Sequence, residues 1–129
     1  MAQQQPVELR QHGKRSIQVV RTERAPLIDG LLDEEVWTNV PVANGFLQRD
    51  PNEGMPATEE TEVRLLYDEQ NLYLGIRCFD SHPNEVLATE LRRDNLFDND
   101  DSFALLLDTF HDHRNGFLFR INPRGAQYD

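Results

Sequence analysis

Four short apolar runs, paired two by two across polar turns, constrain the fold of this chain more than any other feature. TEVRLLYD and LYLGIRCFD flank one polar turn, and FALLLDTF and FLFRINP flank the connection HDHRNG. Apolar residues at alternate positions, bounded by turn residues, are typical of β-strands. The Asn-Gly pair in the second connection is the strongest short signal for a hairpin. The sequence therefore predicts two antiparallel hairpins.

The rest of the chain predicts few further elements. SIQVVRT alternates and is read as a first strand, and LLDEEVWTNV predicts a short helix that opens near Asp33. VLATELRRD fits a strand or a helix equally well. Residues 1–15 are polar and are expected to be a disordered segment before a single domain over residues 16–129. Short strands with little helix predict an all-β, antiparallel β-sandwich with one short helix.

Several single residues have predicted structural roles. Gly30 is expected to adopt a positive φ in the turn after PLID. Asp29 and Asp33 are expected to accept backbone N–H groups of that turn and of the helix start. Trp37 is expected in the core. Cys78, the single cysteine, is interpreted as a small buried side chain.

Charge and hydropathy exclude two classes of partner. The 129 residues include 13 Lys and Arg against 23 Asp and Glu, a formal net charge of −10. A negative net charge disfavours binding to the phosphates of nucleic acid, so we expect no nucleic-acid partner. No stretch approaches the roughly 18 apolar residues of a transmembrane helix, so no direct membrane insertion by this segment is expected.

The acidic run DNLFDNDDS is the first candidate metal site. Asp94, Asp98, Asp100 and Asp101 offer hard carboxylate oxygens of the kind that Ca²⁺ prefers, and a structural calcium ion is the cofactor they predict. The EF-hand spacing is absent, because no glycine follows Asp100 and no glutamate closes a 12-residue loop. The alternative is a solvated acidic loop that protects a sheet edge from aggregation.

Two histidines allow a second metal hypothesis. His111 and His113 share a face if their segment is extended. With Asp98 and Asp100 they would form the site of a calcium- or zinc-dependent hydrolase, and the alternative is a solvated hairpin turn. The chain contains no G-x-S-x-G, G-x-G-x-x-G or P-loop motif, so nothing in the sequence demands a catalytic site.

A third group of residues suits a sugar ligand. Phe97 places an apolar ring within an acidic loop. Exposure of this ring to water is unfavourable unless it packs against other residues or binds a ligand. Arg93 can hydrogen-bond a sugar or pair with neighbouring acids. Asp108 shares a strand face with Ala104 and Leu106, where a carboxylate is available for a polar ligand.

Three segments resemble one family of sugar-binding domains. They are APLIDGLLDEEVWTNV, TEVRLLYDEQNLYLGIRCFD and DDSFALLLDTF, and the most specific part combines Ile28-Asp29-Gly30, Leu32-Asp33-Glu34 and Trp37. Together they resemble the carbohydrate-binding modules of family 9 over residues 17–129. RRDNLFDNDDSF and LDTFHDHRNGFLFRINPRGAQYD are similar to the N-terminal module of large bacterial surface proteins that continue into a C-terminal region of unknown function.

The resemblance implies a jelly-roll β-sandwich that carries structural calcium and binds an oligo- or polysaccharide. It also implies a non-catalytic segment of a secreted, periplasmic or outer-membrane-associated bacterial protein, whose parent is often a glycoside hydrolase. The family module continues beyond INPRGAQYD, so we expect this chain to be incomplete at its C-terminus. Strong sugar binders of the family hold the ligand between two tryptophans, whereas this chain has only Trp37. The rival hypothesis is therefore a structural or interaction domain that keeps the fold without sugar binding and serves the C-terminal region of its parent.

Overall fold

The computed structural model describes residues 15–82, 84, 101–123 and 127–128, and in them the protein is all-β. The chain divides into two compact units, Met1–Ser81 and His82–Asp129. The described elements, in chain order, are β1 (Val20–Arg21), a 3₁₀ turn (Glu35–Trp37), β2 (Thr61–Tyr67), β3 (Leu72–Cys78), β4 (Phe103–Leu107), β5 (Phe117–Ile121) and β6 (Gln127–Tyr128).

The first unit contains a three-stranded sheet in the order β1-β2-β3. β2 and β3 form the predicted antiparallel hairpin, in a register that pairs Thr61 with Cys78 and Tyr67 with Leu72. β1 adds to β2 in parallel and is only two residues long, whereas SIQVVRT predicted a strand over residues 16–22. Further along the edge of β2 that β1 pairs with, Ala43 exchanges backbone hydrogen bonds with Val63.

The core of the first unit lies on the face of this sheet that carries Leu66. Leu66 is 1 % exposed and clusters with Trp37 and Val40, at 5 % and 2 %. Gly75 lies on the same face, and a Cβ there would be 2.9 Å from Cζ3 of the Trp37 ring. The absence of a side chain at this position lets the indole ring lie close to the sheet. The predicted position of Trp37 in the core is confirmed.

The position of the predicted helix is correct, but the predicted capping residue is wrong. The helical segment is a single 3₁₀ turn whose N-cap residue is Glu34, and no side chain caps it. Asp33 therefore does not have the predicted capping role. Both carboxylate oxygens of Glu34 accept the backbone N–H of Leu27 instead, at 2.9 and 3.1 Å, which joins the helix start to the preceding loop.

The turn before the helix follows the prediction. Gly30 has a φ of 77°. Asp29 accepts the backbone N–H of Leu31 at 2.9 Å, so its carboxylate closes the turn. Cys78, by contrast, is exposed, and its interpretation as a buried side chain is wrong. The hairpin register explains this, since Cys78 is the last residue of β3 and pairs with the first residue of β2.

The second unit contains another three-stranded sheet, in the order β4-β5-β6. β4 and β5 form the second predicted hairpin, and Leu105 pairs with Phe119 at its centre. Because side chains alternate along both strands, six apolar residues share one face. We call it the phenylalanine face; it consists of Phe103, Leu105, Leu107, Phe117, Phe119 and Ile121.

Two of the predicted segments concern residues that the structure does not describe, wholly or in part. VLATELRRD lies outside the described residues, as do residues 1–14 of the N-terminal segment. Arg15, the last residue of that segment, is described, and its guanidinium donates to the backbone carbonyls of Gly45 and Asn44 at 2.6 and 2.5 Å. Within the described part of the chain, no helix is long and apolar enough to cross a membrane.

Candidate functional site: the loop of the second hairpin

The loop that joins β4 to β5, residues 108–116, is held together by the carboxylate of Asp108. Asp108 follows the last residue of β4, and its Oδ2 accepts the backbone N–H of His113 at 2.9 Å. Its Oδ1 accepts the backbone N–H of Asp112 at 3.2 Å. One side chain at the start of the loop therefore binds the backbone four and five residues later.

Asp112 closes the second half of the same loop. Its Oδ1 accepts the backbone N–H groups of Arg114 and Asn115 at 2.9 and 3.0 Å. Its Oδ2 accepts the side-chain amide of Asn115 at 2.9 Å. Aspartate side chains that bind backbone N–H groups a few residues ahead replace the backbone bonds of an ordinary turn. Together the two aspartate side chains bind the backbone N–H groups of residues 112–115.

These hydrogen bonds favour the ionised form of both aspartates. The pKa of Asp108 is lowered from its ordinary value of 3.8, chiefly by the N–H of His113 and further by that of Asp112, and together the lowering effects outweigh the opposing effect of desolvation. The pKa of Asp112 is lowered first by the N–H of Asn115 and then by that of Arg114. Both carboxylates are therefore charged at neutral pH.

The two histidines of the loop occupy unusual backbone positions. His111 and His113 have φ values of 51° and 57°, in the left-handed region that non-glycine residues seldom adopt. Their rings make an edge-to-face contact with centroids 5.3 Å apart. Nδ1 of His113 lies 4.0 Å from Oδ2 of Asp108, so a protonated His113 is close enough for a weak ion pair.

Phe110 is the most exposed large aromatic side chain among the described residues, at 73 %. It lies in the middle of a loop whose other side chains are polar or charged and likewise exposed. An apolar ring in this position gains little from packing within the chain. The arrangement presents a flat apolar surface together with hydrogen-bonding groups, on a backbone that its own aspartates hold in place.

The predicted site residues fall into two groups. Asp101 and Asp108 are described, whereas Arg93, Asp94, Phe97, Asp98 and Asp100 lie outside the described residues. Asp101 is exposed and precedes β4, while Asp108 follows it. The five residues of β4 separate the two aspartates by more than about 13 Å, at roughly 3.3 Å per residue. A calcium ion at Asp101 and a sugar at Asp108 would therefore occupy opposite ends of one strand.

The first unit brings together another acidic pair. Carboxylate oxygens of Glu59 and Asp80 lie within 4.8 Å of each other, and the hydroxyl of Ser81 donates to Glu59. Both acids are exposed, and exposed acidic pairs are common without a function. No pattern in the sequence indicates this pair, because 20 other residues separate its members along the chain and no spacing rule connects them.

A polar cleft of about 450 Å³ also lies in the first unit, where Glu23, Glu34 and Glu35 line it beside Thr22 and Arg24. Two of these side chains already have structural hydrogen bonds. Glu34 accepts the N–H of Leu27, and the hydroxyl of Thr22 donates to the carbonyl of Arg24 at 2.7 Å. No sequence pattern indicates this cleft, since its lining comes from two separated segments.

The described residues belong to an all-β protein. Its β4-β5 loop is polar, is held by side-chain hydrogen bonds and carries an exposed phenylalanine. Comparison of the chain with family models, curated proteins and solved structures finds no match. The resemblance to carbohydrate-binding modules of family 9 therefore stays a prediction from the sequence.

Proposed function

We propose that this chain is a non-catalytic carbohydrate-binding module of a larger secreted or outer-membrane bacterial protein. The observation that supports this most is the exposed ring of Phe110 on a loop held by Asp108 and Asp112. The segment itself binds the sugar in this proposal, while any glycoside hydrolysis belongs to the parent protein.

Sugar recognition needs an apolar ring and adjacent polar groups in one place. The C–H face of a pyranose stacks on an aromatic ring through dispersion and desolvation, and the sugar hydroxyls need hydrogen-bonding partners around it. Phe110 supplies the ring, and Asp108, Arg114 and Asn115 supply polar groups in the same loop. A carboxylate has about four acceptor positions, so Asp108 can hold the backbone and still accept a hydroxyl.

Order in the loop favours binding. A loop that is already held in one conformation loses little conformational entropy when a ligand arrives. The bonds from Asp112 to the N–H groups of Arg114 and Asn115 restrict the backbone that carries the polar groups. This preorganisation compensates in part for the single aromatic ring.

Calorimetric titration of mono- and oligosaccharides in the presence of calcium tests the proposal. We expect saturable binding that weakens at least tenfold in Phe110→Ala. Phe79→Ala is the matched control, because Phe79 is an exposed phenylalanine of the first unit, at 43 %. Loss of binding in Phe97→Ala with normal binding in Phe110→Ala would move the site to the predicted acidic loop. Absence of heat with every glycan would contradict the proposal.

A structural or interaction domain is the second candidate, and the phenylalanine face favours it. Phe117, Phe119 and Ile121 on this face are 54 %, 43 % and 42 % exposed. Contiguous exposed apolar side chains on a sheet often mark a surface that another protein region covers. In this alternative the chain binds the C-terminal region of its parent. A chain that binds no glycan but binds that region in a pull-down would support it.

Structural calcium belongs to the same proposal, with Asp94, Asp98, Asp100 and Asp101 as its ligands. Metal analysis after dialysis against calcium-containing buffer tests it, and we expect about one ion per chain. Asp101→Asn should reduce the calcium content. Asp112→Asn, which changes the loop at the other end of the β4-β5 hairpin, should not. Retention of zinc instead of calcium, lost in His111→Ala, would favour the hydrolase hypothesis.

A further inference from the structure

We draw no further inference here: the strongest candidate, the exposed phenylalanine face of the β4-β5 hairpin, carries nothing because no feature of the described residues shows what covers it.

Discussion

Gly75 is the residue on which the close packing of the first unit depends most directly. A Cβ at this position would lie 2.9 Å from Cζ3 of Trp37 and 3.1 Å from Cδ2 of Leu32. Intrinsic preference opposes this effect, since alanine is favoured over glycine in a strand by roughly 0.5–1 kcal/mol. Overpacking costs about 1–3 kcal/mol, so the steric effect should dominate.

We therefore expect Gly75→Ala to lower the free energy of unfolding by about 1–2 kcal/mol. Urea unfolding followed by circular dichroism measures this. Trp37→Phe provides the control background, because the indole Nε1 has no hydrogen-bond partner among the described residues and its loss removes ring volume alone. In that background Gly75→Ala should cost less. An equal cost in both backgrounds would show that the contact with Trp37 is not responsible.

Asp108 gives a prediction about pH. Its pKa in the folded chain is lowered from 3.8, so its ionised form stabilises the loop fully above that value. This contribution is lost as the pH falls through the lower, folded-state pKa. The amide proton of His113, which Asp108 accepts, should report the change directly. We expect its NMR chemical shift to titrate with a midpoint below 3.8.

The Asp108→Asn variant isolates the cause of that titration. Asparagine keeps the shape and one acceptor oxygen but has no charge to lose, so the acid titration of the His113 amide should vanish. Asp101→Asn is the matched control, since it removes an exposed acid of the same unit from outside the loop. If the chemical shift of the His113 amide proton still titrates in Asp108→Asn, another group causes the effect.

At the scale of the element, the turn of the first hairpin depends on one hydrogen-bonded group around Asp68. The hydroxyl of Tyr73 donates to Oδ2 of Asp68 at 2.7 Å, and the N–H groups of Gln70 and Asn71 donate to Oδ1, both at 2.8 Å. The pKa of Asp68 is lowered first by the Tyr73 hydroxyl and then by the two backbone groups. Reciprocally, the Asp68 carboxylate raises the pKa of Tyr73.

Tyr73→Phe should therefore raise the pKa of Asp68 towards 3.8. A carboxyl ¹³C NMR titration measures the midpoint, and the stability that Asp68 contributes should begin to fall at a higher pH than in the wild type. Tyr67→Phe is the control, because Tyr67 lies at the same end of the hairpin and is exposed. A midpoint that does not move would mean that the backbone N–H groups alone stabilise the ionised carboxylate.

Both hairpins could be predicted because their signals are local: alternating side chains on each side of a short polar connection. The details of the second connection could not. The Asn-Gly pair indicates a hairpin and commonly adopts positive φ values, yet the described residues in the left-handed region of this loop are His111 and His113. Asp108 and Asp112 provide hydrogen bonds that outweigh the usual preference for glycine. The conformation of this loop depends on hydrogen bonds between residues four or five positions apart, which the sequence preferences of short turns do not include.

The helix start shows the same limit. Asp33 and Glu34 are adjacent acids, and capping preference favours aspartate. In the structure the backbone N–H of Leu27 donates to the Glu34 carboxylate, and Glu34 is the N-cap residue. Capping preferences do not include such a contact with the preceding loop. Likewise, the sequence identified the alternating faces of β2 but not which face Trp37 would cover. That choice depends on the small size of Gly75, across the hairpin from Arg64.

At the scale of the whole molecule, the described parts of the two units differ in how many apolar side chains they bury. The first unit contains a buried cluster around Leu66, and Val63 is a further buried residue of the same strand. Among residues 101–123 of the second unit, the only buried side chain is that of Asn122. The described part of the second unit therefore obtains less stabilisation from the hydrophobic effect, which is roughly proportional to the apolar area removed from water.

Native-state hydrogen exchange should reveal this difference. Amide protection follows the free energy of local opening, which is largest where apolar side chains are buried. We expect the strand amides of β2 and β3 to exchange more slowly than those of β4 and β5, by a factor of ten or more. Comparable protection in both sheets would contradict this expectation and would mean that the phenylalanine face is covered in solution. That result would weaken the interaction-domain alternative, because it depends on an exposed phenylalanine face that is free to bind another protein region.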